Sequence, residues 1–119
     1  MKIGFIGLGN VGGKLACSLL RNKFDVTVRD LDSGLVEQFK KLGAKSAETP
    51  KELAEKVELI ITCLPSPEIC LEVMEGSSGV IEGLSENKIW LEMSTTDEHE
   101  VKRIGEKVKK LKAVQLDGH

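Results

Sequence analysis

The sequence predicts an α/β protein: a single domain built on one doubly wound parallel sheet of about six strands, with helices on both faces. Three observations carry that expectation. Short apolar runs alternate with amphipathic stretches along all 119 residues, joined by short polar connections, which is the pattern of right-handed β-α-β crossovers. The first apolar run passes without a break into Gly7-Leu8-Gly9-Asn10-Val11-Gly12, spaced G-x-G-x-x-G, and then into a helical pattern. Aromatic residues make up only 3% of the chain, with no Tyr and one Trp, so the expected core is aliphatic, as suits strands buried on both faces.

The elements follow in order. Residues 2–6 form a strand and the stretch from Lys14 to Leu20 a helix ending near Arg21 and Asn22. Residues 24–29 alternate and are β-branched, as a second strand should be. Residues 33–42 place Leu35, Val36, Phe39 and Leu42 on one helical face, closed by Gly43, with a short edge strand at residues 44–46. Thr49-Pro50-Lys51-Glu52 is a capping box with proline at the first helical position, which starts a helix over residues 50–56. Residues 57–64 are apolar on both faces and so predict a central strand. It stops at Pro65, where Ser66 and Pro67 supply the cap and first position of another helix. A loop at residues 76–79, a helical turn at 80–84, a fifth strand at 88–93, a helix at about 97–112 and a sixth strand at 113–116 complete the chain. The strand order expected of this alternation is 3-2-1-4-5-6, that of the Rossmann fold.

Composition excludes several classes of function. Seventeen basic residues against nineteen acidic ones, a formal charge of −2, leave no broad electrostatic footprint for nucleic acid. The lysine-rich run at residues 107–112 is matched upstream by Asp97, Glu98 and Glu100. It therefore reads as the basic end of a helix aligned with its dipole, the alternative being a nucleic-acid patch. Three cysteines without a C-x-x-C pair, and two histidines without metal-ligand spacing, predict reduced thiols in a cytoplasmic protein and no metal site. No apolar run is long enough to cross a membrane. The N-terminus lacks a basic leader region and a cleavage site, and so reads as a core strand.

The glycine turn is the first candidate site. In a dinucleotide-binding turn Gly7 lets the backbone leave the strand sharply, Gly9 keeps side chains away from a pyrophosphate, and Gly12 lets the helix approach the sheet. The helix start then offers free N–H groups and a positive dipole end to phosphate. Asp30, 23 positions beyond Gly7, stands near the spacing at which an acid at the tip of the second strand accepts from the adenosine ribose hydroxyls. Its alternative is a solvated turn residue beside Asp32 and Ser33. A carboxylate there repels a 2′-phosphate, and the next residue is the neutral Leu31. NAD is therefore favoured over NADP, with Arg29 the one nearby cation against it. The backbone of Cys63-Leu64-Pro65 falls opposite the glycine turn, where it either lines the cofactor trough or simply ends a strand. Ser94, Thr95 and Thr96 stand at the end of the fifth strand. Their hydroxyls either bond a substrate carboxylate and the nicotinamide ribose or cap the next helix.

Taken together, residues 1–12, 59–65, 79–81 and 92–96 resemble the N-terminal domain of the β-hydroxyacid dehydrogenases, the family of 3-hydroxyisobutyrate dehydrogenase and, more distantly, 6-phosphogluconate dehydrogenase. The resemblance covers essentially the whole chain. It implies that Gly7, Leu8, Gly9, Asn10, Val11 and Gly12 hold the pyrophosphate and that Asp30 and Leu31 read the adenosine ribose, where NADP-dependent members show Asn-Arg. It implies that Leu64 and Pro65 lie along the nicotinamide half. Ser94 and Thr95 match the family's D-x-S-T segment, Ser94 near the substrate carboxylate and Thr95 near the nicotinamide, although the acid here is Glu92. The strand leading to Asp117 is similar to the one entering the family's second substrate motif. The catalytic lysine, its neighbouring asparagine and the helical second domain have no counterpart in these residues. The resemblance thus implies a fragment that binds a nicotinamide dinucleotide without turnover, derived from a parent acting on a small hydroxy acid or semialdehyde. The alternative is an interaction module that forms a homodimer, or pairs with a full-length relative, through the patch a second domain would cover.

Overall fold

A computed structural model describes residues 1–93 and 98–117. Its sheet has six parallel strands in the order β3-β2-β1-β4-β5-β6, as the alternation predicts. The strands are β1 (Lys2–Ile6), β2 (Asp25–Arg29), β3 (Lys45–Ser46), β4 (Leu59–Thr62), β5 (Ile89–Glu92) and β6 (Val114–Asp117). Ile6 pairs with Arg29 on one side and with Thr62 on the other, and Thr62 pairs with Glu92. The carboxyl ends of β2, β1, β4 and β5 therefore lie in one row.

Each face of the sheet has its own core. Helices α1 (Asn10–Arg21) and α2 (Ser33–Lys41) pack on the side of Ile3, Phe5, Val26, Val28 and Ile61. Helices α3 (Pro50–Lys56), α4 (Pro67–Glu75), α5 (Val80–Gly83) and α6 (Glu98–Lys110) cover the side of Ile6, Ile60 and Trp90. The change of face between α2 and α3 follows from the crossover to β4, which joins β1 on the side away from β2.

Local signals place most boundaries. Thr49 caps α3 by accepting from Glu52 N at 3.0 Å, and Ser66 caps α4 by accepting from Ile69 N at 3.2 Å. Gly43, at φ +108°, closes α2. Asp32, which the sequence reading did not single out, is the N-cap of α2 and accepts from Gly34 N and Leu35 N. Helix α1 starts four residues ahead of the expected Lys14, because glycines with poor helix propensity occupy its first turn and hide the periodicity. The expectation of a purely aliphatic core needs correction as well. Trp90 and Phe5 are the largest fully buried side chains, and few aromatics in the sequence does not mean few at its centre.

The basic end of α6 is exposed, as expected: Lys102, Arg103, Lys107, Lys109 and Lys110 all meet solvent. Arg103 and Lys107 also reach Glu75 at the end of α4. Arg103 donates to both Glu75 oxygens, at 2.9 and 2.5 Å, and Lys107 forms a further ion pair with it. The Arg103 bonds, joined by Lys107, hold the Glu75 carboxyl at about 2 against an ordinary 4.5, despite its partial burial. A carboxyl lowered in this way contributes fully above pH 4.5, and its contribution disappears as the pH falls towards 2. Glu75→Gln should cost about 1 kcal/mol at neutral pH and flatten the acid limb of the stability curve between those two values. Urea titrations of both proteins at intervals from pH 7 to pH 2 test this: curves that stay parallel throughout would refute it.

Candidate functional site

The glycine turn sits where β1 meets β4. Gly7 has φ +99°, a conformation open to glycine, and its amide donates to Arg29 O at 3.0 Å. A Cβ on Gly7 would lie 2.1 Å from Cys63 O, and one on Gly12 would lie 2.3 Å from Gly7 O. Both glycines therefore serve close packing of backbone on backbone. Gly9 differs, since a Cβ there would have nothing within 4 Å. The space beside it is open, on the side from which the helix start can be approached.

Gly9 is also the N-cap of α1, and no side chain caps that end. Helices α2, α3 and α4 are each capped by a side-chain oxygen. The first-turn amides of α1, from Asn10 onward, thus carry the positive end of a twelve-residue helix without such a partner. Asn10 and Val11 are exposed, whereas the Leu8 side chain is buried in the core beneath α1.

Asp30 is tied directly to this turn. Leu8 N donates to Asp30 Oδ2 at 2.7 Å, and Asp32 N donates to Oδ1 at 2.8 Å. The Leu8 amide is therefore turned inward, towards the tip of β2. Leu31 projects into solvent with 86% of its surface exposed. Arg29 points elsewhere: its guanidinium donates to Ala47 O at 3.3 Å and Glu48 O at 2.6 Å, at the far edge of the sheet.

The opposite wall is the end of β4. The Leu64 side chain packs in the core of the α3–α6 face, and Pro65 is exposed. Cys63 is half-buried, and burial pushes its thiol above the usual range. Behind this wall lies a polar chain that pattern reading missed. Trp90 Nε1 donates to Thr62 Oγ1 at 2.9 Å, Thr62 Oγ1 donates to Glu92 Oε2 at 2.8 Å, and Cys70 Sγ donates to the same oxygen at 3.5 Å. Burial, with Glu92 beside it, pushes the Cys70 thiol up to about 12, so it remains protonated and a donor. The one signal in the sequence was a polar residue at each of two strand ends. Ser94, Thr95 and Thr96 lie outside the described residues.

A groove of about 620 Å³ opens beside the turn between α1 and α2, with Leu8, Gly9, Asn10 and Lys14 at its upper end. Among the described residues, no group of three or more His, Cys, Asp or Glu side chains is arranged to hold a metal ion, and no helix is long and apolar enough to cross a membrane.

Comparison with known proteins agrees with this geometry. The family described as the NAD binding domain of 6-phosphogluconate dehydrogenase matches residues 2–118. Mitochondrial 3-hydroxyisobutyrate dehydrogenase of Mus musculus is 34% identical over 97% of this chain and 34% of its own length. Among solved structures, 3-hydroxyisobutyrate dehydrogenase of Mycobacterium tuberculosis has a TM-score of 0.85 at 21% identity, over 98% of this chain and 39% of that one. An imine reductase of Myxococcus stipitatus, solved with NADP+, has a TM-score of 0.87 at 18% identity, over 98% and 40%. The chain thus spans about a third of the length of the curated relatives it matches. The turn, the acid beside it, the strand order and the matched residues lead to one conclusion: this chain belongs to the family of NAD binding domains of 6-phosphogluconate dehydrogenase.

Proposed function

We propose that the chain binds NAD as the cofactor half of a β-hydroxyacid dehydrogenase, without turnover by itself. The observation that carries this reading is the α1 terminus, which has no side-chain cap and opens beside the bare Gly9. First-turn amides from Asn10 and Val11 would hold the pyrophosphate, on the open side left by Gly9, while the Gly12 amide faces the Cys63 thiol and Gly12 serves by keeping the helix close to the turn. Asp30 would accept from the adenosine ribose hydroxyls, because each of its oxygens has acceptor capacity beyond the one amide it receives. Leu31 would cover the adenosine, and the backbone of Leu64 and Pro65 would face the nicotinamide half. Ser94, Thr95 and Thr96 would serve the substrate carboxylate and the nicotinamide ribose. When bound, the nicotinamide supplies a hydride acceptor for a small hydroxy acid. That parent reaction belongs to the longer proteins of which the chain matches a third, and a reducing compartment suits its three free thiols.

A second reading, self-association or pairing with a full-length relative, is favoured by one feature. Val114 and Leu116 on β6 are 48% and 47% exposed, in register with Ile89 and Leu91, so one side of that sheet edge is apolar. Sedimentation over a wide concentration range tests it, and a strict monomer would refute pairing with itself.

The glycines separate binding from folding. Gly9→Ala should keep the wild-type melting temperature yet lose NAD binding by at least about tenfold, since the added methyl meets only the ligand. Gly7→Ala and Gly12→Ala should instead destabilise the fold by more than about 2 kcal/mol, since their methyls meet backbone. Calorimetry with NAD and thermal melts on all three variants distinguish these effects, and NAD binding by Gly9→Ala at wild-type strength would remove the pyrophosphate from this turn.

Asp30 sets the expected cofactor preference. NAD should bind at least about tenfold tighter than NADP, and Asp30→Asn should narrow that ratio by lifting the charge repulsion. Equal affinities in the wild type, measured by titration at one ionic strength, would overturn the preference.

A further inference from the structure

The polar chain behind the cleft makes none of the nucleotide contacts assigned above, yet all four of its members are buried. Trp90, Thr62 and Glu92 are fully buried, and Cys70 is 2% exposed. An indole N–H can only donate, so Trp90 occupies a lone pair of Thr62 Oγ1 and sends the hydroxyl proton towards Glu92. Glu92 Oε2 then accepts twice, from Thr62 and from the Cys70 thiol. The direction of every bond in the chain is set by its chemistry.

A carboxyl group in this place is costly, since an apolar side chain would fill a buried sheet position without desolvating anything. What the group does is join three elements at one oxygen: Thr62 ends β4, Glu92 ends β5, and Cys70 lies at the start of α4. β4 leads directly into the wall facing the glycine turn, and α4 follows that wall in the chain. β4 continues into Cys63, Leu64 and Pro65, and β5 continues in sequence through Met93 to Ser94. In the sheet register Glu92 shares its row with Thr62 and Ile6, one residue short of Gly7. Asp30, by contrast, joins the turn to β2 and, among the described residues, is bonded by Leu8 N and Asp32 N and not by a member of this chain. The two sides of the cleft hang on two separate carboxylates.

We propose that Glu92 is a positioning residue for the nicotinamide side of the cleft: it fixes the ends of β4, β5 and α4 against one another, while the adenosine side is set independently at Asp30. The inference rests on the nucleotide-binding reading above. Glutamate is long enough for the task, whereas aspartate, about 1.5 Å shorter, would fall short of Thr62 and Cys70 unless β5 moved.

The test compares two probes, NAD and ADP-ribose, the second lacking the nicotinamide. Calorimetry on the full chain should show wild type binding NAD more tightly than ADP-ribose. Glu92→Met, of similar length but with only a weakly accepting sulfur, should lose about tenfold in NAD affinity and less than about twofold in ADP-ribose affinity. Glu92→Gln, whose carbonyl can take the place of Oε2, should restore most of the NAD affinity. If Glu92→Met does not fold, Cys70→Ala removes one donor and keeps the rest, and should lose about threefold for NAD alone. Losses equal for the two probes, no loss for either, or wild-type affinities that do not differ would overturn the positioning role. A wild type that binds neither probe would overturn the nucleotide reading itself, and the inference with it.

Discussion

The architecture depends on the approach of Gly7 to the carbonyl of Cys63. These residues lie at the ends of β1 and β4, which are neighbours in the sheet though far apart in the chain. Strand order reverses between them, and a crevice opens at such a point in any doubly wound sheet. Here the crevice is narrow at its base, because nothing larger than hydrogen fits between Gly7 Cα and Cys63 O. The turn is held from both sides, by Gly7 N to Arg29 O and by Cys63 N to Ile6 O, at 3.0 and 2.9 Å. Gly12 then lies against Gly7 O, so the direction of α1 is fixed by the same contact that closes the base. A helix aimed in this way presents its first turn to the mouth of the crevice and nowhere else.

Two carboxylates work from this base, each as an acceptor for protein donors. Asp30 receives backbone amides on both oxygens, so it is oriented before any ligand arrives and needs no reordering to accept further hydroxyls. Glu92 receives a hydroxyl and a thiol in a dry interior, where such bonds are stronger and their loss is felt more. One carboxylate faces the solvent side of the turn and the other lies beneath the opposite wall. The difference in burial is what supports the two proposed roles, Asp30 meeting ligand and Glu92 holding structure.

Much of this was legible in the sequence, and the parts that were not share a physical reason. Strand order follows from the alternation of strands and helices along the whole chain, and the caps at Thr49 and Ser66, the closing Gly43 and the tasks of Gly7 and Gly12 follow from patterns within a few residues, where backbone geometry depends on side-chain type. Asp30 was placed by spacing, but its bond to the Leu8 amide was not, because an acid at that spacing is usually read through its ligand. The Trp90-Thr62-Glu92-Cys70 chain was invisible for a stronger reason: its bonded pairs lie 22 to 30 positions apart and meet only once the crossover from β4 to β5 is in place. The departure at Glu92 from the motif's aspartate was visible without its meaning, which needs the distance from β5 to α4.

Arg29 shows how such a gap bears on function. By adjacency alone it was a cation beside the ribose-reading acid, and therefore a candidate partner for a 2′-phosphate. Its side chain leaves β2 towards the sheet edge, where it donates to Ala47 O and Glu48 O and secures the connection from β3 to α3. Turning it back would give up two bonds from a charged donor, each worth about 1.5–3 kcal/mol, and would expose two carbonyls at the start of a capped helix. A 2′-phosphate would then still face Asp30, whose position is held by Leu8 and Asp32 and cannot yield without loosening the glycine turn. The proposed preference for the unphosphorylated ribose thus rests on the same bonds that build the turn, so a change of cofactor would have to alter the turn as well as the charge.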